Sequence, residues 1–151
     1  MEIRTFRDNE IVTGISILSV LRYAHEMELS KCMLIEPLLS YSRVLKALKR
    51  VNSSVKSIED LVLKENIVFS NFNSRYQDHL VLSINSILLF KQMGLITFQN
   101  GFVCFSGDSF DFDNSSLGTK ARDRIKAAKK LSEILIKGDA SDFYLTLRVE
   151  L

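Results

Sequence analysis

The chain has 151 residues, 46% of them hydrophobic and 25% charged, with one proline, six glycines and no tryptophan. That length and balance suit one globular domain spanning 1–151, folding without staples, and exclude long linkers and low-complexity segments. A net charge of only +2 excludes a general polycation, so any attraction to nucleic acid has to come from a local patch.

The opening MEIRTFRDNE is too charged for a secretory leader, and no window reaches the roughly 18 consecutive apolar residues of a spanning helix. Cys32 and Cys104 stand far apart without a pairing pattern, so a reducing cytoplasm is expected. A first helix is predicted from about Glu10 to Met27, capped by Asp8 or Asn9. Ile11, Ile15, Leu18 and Leu21 form its core stripe. In Cys32 to Leu48, Pro37 either opens a helix at its first turn or kinks a longer one starting near Ser30. Arg43, Lys46 and Arg50 fall along one side of that segment, beside Lys49.

Ser57-Ile58-Glu59-Asp60 reads as a capping-box variant opening a short helix that Asn66 ends. Ile67-Val68-Phe69 then reads as a short extended link. Asn73 is expected to cap a helix from Ser74 to Met93, apolar over most of its circumference through Leu80, Val81, Ile84, Ile87, Leu88 and Leu89. Such a helix is expected at the centre of a fold. Its polar positions include Ser83, Asn85 and Ser86. Gly94 ends it. Leu95-Ile96-Thr97-Phe98 and Phe102-Val103-Cys104-Phe105 flank Gln99-Asn100-Gly101, and Asn-Gly accepts the positive φ angles of a tight hairpin.

Gly107 to Ser116 reads as a flexible acidic loop. Its alternating Asp108, Asp111 and Asp113 lack the glycine and the bidentate glutamate of a calcium loop. A last long helix is predicted from Leu117 to Lys137, buried through Ala121, Ile125, Ala128, Leu131 and Leu135. Phe143, Leu145, Leu147 and Val149 alternate in the tail, as a strand or a docked terminal segment.

A long helix running into a hairpin, with shorter helices before it, predicts a mainly α fold with a small β-hairpin: a winged helix-turn-helix-like core with additional helices. The hairpin covers an apolar helical face that would otherwise stay wet. The helix before the hairpin is poor in positive charge for a groove reader, which favours a winged helix used for protein contacts. The alternative is a small winged-helix transcription regulator, and an antitoxin-like inhibitor is a third reading.

No catalytic constellation stands out. His25 and His79 belong to no triad, no Cys/His cluster has metal-ligand spacing, and no Gly-rich loop cradles phosphate. The protein is expected to be no enzyme and to need no cofactor. Lys120, Arg122, Arg124, Lys126, Lys129, Lys130 and Lys137 crowd the last helix against Asp123 and Glu133. This is either a solvated face or a contact for DNA phosphates or an acidic partner. Arg43, Lys46 and Arg50 form a smaller patch with the same two readings. The residues expected to meet such a partner are Lys120, Arg122, Lys126, Lys129, Lys130, Arg43, Lys46 and Arg50.

Three stretches carry a resemblance to a known family: Met33 to Leu39 around Pro37; Phe72 to Tyr76 continuing through Leu80 to Ile96; and Lys126 to Leu135 with the ending Phe143 to Val149. In order and spacing they resemble the small middle component of three-component ABC-ATPase systems of bacteria, the group that includes Lamassu-type anti-phage and anti-plasmid defence. The resemblance implies an adaptor that grips an SMC-like ABC ATPase and tethers an effector, often nuclease-bearing, with double-stranded DNA reached through the complex and no membrane involved. By this route Phe72, Arg75 and Tyr76 are the expected partner-binding residues, with core packing the other reading of Phe72 and Tyr76.

Overall fold

A computed structural model describes residues 2–151, with side chains from Asn9 onward. The opening helix α1 runs Glu2–Ala24, and Asn9 lies inside it rather than capping it; the side chain of Asp8 is outside the described residues. Every residue from Thr13 to Leu21 is buried, so α1 is the central helix. The small residues on it make this possible. The Ser16 hydroxyl donates to the Val12 carbonyl at 2.8 Å and that of Ser19 to Ile15 at 2.6 Å, so each satisfies itself within the helix. Gly14 lies against the ring of Phe90, where a Cβ would collide with it.

His25 ends α1 in the left-handed region, φ 68°, with its N–H donating to Leu21 O. The chain then enters β1, Glu26–Glu28, where the sequence predicts the helix to continue to Met27. The next apolar segment breaks into α2 Leu29–Cys32, α3 Ile35–Leu39 and α4 Ser42–Lys49. Pro37 sits in the first turn of α3, where its missing N–H costs little.

Ser57 caps α5, Ile58–Lys64, accepting from the Asp60 N–H at 3.1 Å, while the Asp60 carboxylate accepts from the Lys56 N–H at 3.1 Å. The expected extended link is instead a one-turn helix, α6 Asn66–Phe69, whose Phe69 points into the core. The long helix α7 spans Phe72–Gln92. Asn73 does not cap it. Its side-chain oxygen accepts from the Glu150 N–H at 2.8 Å and so holds the C-terminal tail.

The hairpin β2 Ile96–Gln99 and β3 Phe102–Phe105 turns at Asn100 and Gly101, both with positive φ. It is wider than a hairpin: β1 pairs antiparallel with β3, Met27 opposite Val103, giving the strand order β1-β3-β2. The fold is thus mainly helical with a small three-stranded antiparallel sheet, and α7 runs straight into β2–β3, the hairpin expected from the sequence as a wing.

The acidic loop is anchored rather than loose. Phe112 is buried, meets Phe110 edge-on at 4.8 Å, and lies under the Arg22 guanidinium at 4.4 Å. Next come α8, Thr119–Ile136, and α9, Ala140–Thr146, so the alternating tail is a helix and docked end, not a strand. α8 packs on α1 and α4, whereas α7 packs on α1 and α3; α1 lies between them.

Candidate macromolecule-binding surfaces

The face that α7 presents to α1 carries Ser83, Ser86, Ile87 and Phe90, spaced as one helical side and all buried. The opposite side carries Val81, Ile84 and Leu88, at 65%, 42% and 49% exposure. The expected apolar stripe is therefore split: Ile87 faces the core beside Ser83 and Ser86, while Val81, Ile84 and Leu88 meet solvent. Close packing accounts for it: Gly14 on α1 leaves room for the Phe90 ring of α7, and the small Ser83 and Ser86 share that buried face with Ile87 and Phe90. The stripe continues into the wing, where Phe98 is 42% exposed and the Lys91 ammonium lies 5.0 Å from its ring centroid. Lys91 and Arg75 are the only Lys or Arg residues of α7.

The three residues expected to meet a partner are placed differently. Phe72 is fully buried, packed with Tyr41 and Phe69. Tyr76, 4% exposed, meets Tyr144 edge-on, and the two hydroxyls lie 3.0 Å apart. Tyr144 in turn donates to the Ser30 carbonyl at 2.6 Å, so this chain of hydrogen bonds fastens α9 to α7 and α2. Burial, reinforced by the hydrogen bond to Tyr76, pushes the Tyr144 phenol far above its usual range. Both aromatic residues are core, and neither is available to a partner. Arg75 is half-buried: its guanidinium lies 3.9 Å from the Tyr41 ring centroid and donates to Ser40 Oγ at 3.1 Å. That ties α7 to the α3–α4 junction.

The two basic runs, some seventy residues apart in sequence, are brought together because α4 packs on α8. Between them lies a cleft of about 500 Å³ lined by Lys49, Arg50, Lys126, Lys129 and Lys130, with Leu48, Val51 and Glu133. Lys49 pairs with Asp123 at 3.4 Å and Lys130 with Glu133 at 3.8 Å. Arg50, Lys126 and Lys129 form no ion pair among the described residues. Arg43 and Lys46 lie outside this lining, and Arg43 pairs with Glu65 at 3.5 Å. Lys120 and Arg122 are exposed on the first turn of α8.

Arg124 leaves the basic surface altogether. It is buried and bonds the equally buried Glu36 at 2.6 Å, with Ser16 Oγ accepting from it at 3.2 Å and Thr13 donating to the same carboxylate. One ion pair thus ties α8, α3 and α1 together in the interior. Cys32 is buried, and burial pushes its thiol up to about 12, which suits a packing residue rather than a nucleophile. No group of three or more metal-ligating side chains occurs among the described residues, and no described helix is long and apolar enough to cross a membrane. Compared with known proteins, the chain matches no family model, no curated protein and no solved structure.

Proposed function

We propose that this protein is a non-enzymatic adaptor subunit that links an SMC-like ABC ATPase to an effector nuclease in a cytoplasmic anti-phage and anti-plasmid defence complex. One observation supports an adaptor over a sequence reader. The side of α7 turned to solvent, continuing through the wing, is apolar at Val81, Ile84, Leu88 and Phe98. A helix that reads base edges presents hydrogen-bonding and cationic side chains there. Of the two cations on α7, Arg75 is committed to Tyr41 and Lys91 lies over Phe98. An apolar strip of this kind is what a partner protein covers. The identity of the partners rests on the resemblance of Met33–Leu39, Phe72–Ile96 and the 126–149 region to the middle component of Lamassu-type systems.

The test is purification of the tagged protein from its native host with identification of what stays bound. Recovery of an SMC-like ATPase in fixed ratio supports the proposal. Recovery of the chain alone, together with tight binding to one operator sequence, overturns it in favour of a winged-helix regulator.

A further inference from the structure

The geometry points to a second binding site on a different face: the cleft between α4 and α8 holds the phosphate backbone of a nucleic-acid duplex, whatever its base sequence. Cations from two separate stretches, Lys49 and Arg50 on one wall and Lys126, Lys129 and Lys130 on the other, converge on one cleft. Of these, only Lys49 and Lys130 have carboxylate partners among the described residues, so Arg50, Lys126 and Lys129 keep their charge for a ligand.

Helix stability does not account for the charge on α8. Cations favour a helix C-terminus, and Lys46 and Lys49 in the last turn of α4 fit that rule. α8 departs from it at its start, where the first turn has no acid and carries Lys120 and Arg122, while Lys137 stands at its C-cap. Lys126, Lys129 and Lys130 lie in the middle of α8, where the dipole favours neither sign, so it does not account for the charge that α8 brings to the cleft.

The lining also selects among polyanions. No aromatic side chain lines the cleft, so unstacked bases of a single strand find no platform. Its apolar part is confined to Leu48 and Val51, too little for the anchored core of a protein interface. Lys126 and Lys129 are exposed rather than enclosed, which suits a row of phosphates more than one small buried anion. α7 and α8 pack on α1 without substantial contact with each other, so a duplex held here leaves the α7–wing face open.

The experiment measures fluorescence anisotropy of the full chain with two unrelated duplexes while salt rises from about 50 to about 200 mM. Both duplexes should bind alike and weaken steeply with salt. The triple variant Arg50→Glu, Lys126→Glu and Lys129→Glu should lose at least about tenfold in affinity for both, and its log–log salt slope should flatten by about 3. Lys91→Glu on α7 should change affinity far less. Circular dichroism establishes that the triple variant is folded; if it is not, Arg50→Gln, Lys126→Gln and Lys129→Gln should give a smaller loss in the same direction. Absence of duplex binding at the lowest salt overturns the inference. So does unchanged binding in the folded variant, or a preference for a single strand, polyglutamate or anionic vesicles over duplex.

Discussion

α1 and α7 cross each other and treat their side chains in opposite ways. α1 buries Thr13, Ser16 and Ser19 along with its aliphatic residues and is surrounded on all sides. α7, the more uniformly apolar of the two by sequence, buries Ser83 and Ser86 and leaves Val81, Ile84 and Leu88 in solvent. The hydroxyls of Ser16, Ser19 and Ser86 bond the carbonyl one turn back and so cost little to bury, whereas that of Ser83 has no partner among the described residues. Polarity alone therefore misorders the two helices, and the apolar residues left outside α7 are the face we propose for a partner.

The sharpest way to break this comparison is to remove the charge pairing beneath α1. Glu36→Ala leaves Arg124 buried without its carboxylate and should cost about 3–5 kcal/mol in urea unfolding. Truncation in the two helices should then diverge: Leu18→Ala in α1 should cost about 2–5 kcal/mol, while Leu88→Ala in α7 should stay within about 0.5 kcal/mol of the parent. Equal losses at the two sites would erase the distinction between a buried α1 and a half-exposed α7.

Next in size is the crossing point. Gly14→Ala places a Cβ into the Phe90 ring and should destabilise by about 1–3 kcal/mol, despite the roughly 1 kcal/mol of helix propensity alanine gains. Combining it with Phe90→Leu should cost less than the two single changes added, because the smaller side chain relieves the collision. Strict additivity would mean that the helices do not meet there.

Much of the architecture was legible in the sequence. The Asn-Gly turn marked the wing, the serine cap marked α5, and helical spacing marked α7 and α8. The third strand was not: Glu26-Met27-Glu28 is too short for alternation to register, and its pairing with β3 spans some seventy-five residues. For Phe72 and Tyr76 the sequence left core packing and partner contact open, because their burial depends on Tyr41 and Tyr144, contributed by distant elements. Two basic runs were visible, but not that α4 and α8 close them into one cleft, nor that Arg124 turns inward to Glu36. Charge counts along a helix do not say which cation has a buried partner.

The smallest expected effect concerns the two thiols. Cys104, half-exposed on β3, should react with a thiol reagent at neutral pH, whereas Cys32 should react only after unfolding. Because burial raises the Cys32 thiol from an ordinary 9.0 to about 12, the unfolded chain releases that proton first. Its contribution to stability should be intact below pH 9 and decline as pH rises toward 12. Fast labelling of Cys32 in the native protein would contradict its place in the core.

The most direct test of the central claim pairs stability with partner retention in one variant, Ile84→Glu with Leu88→Glu. The account predicts a melting temperature close to the parent's and loss of the SMC-like ATPase that we propose as its partner. A variant that melts early, or one that stays folded and still retains the ATPase, would contradict the assignment of the α7–wing face as the partner's seat.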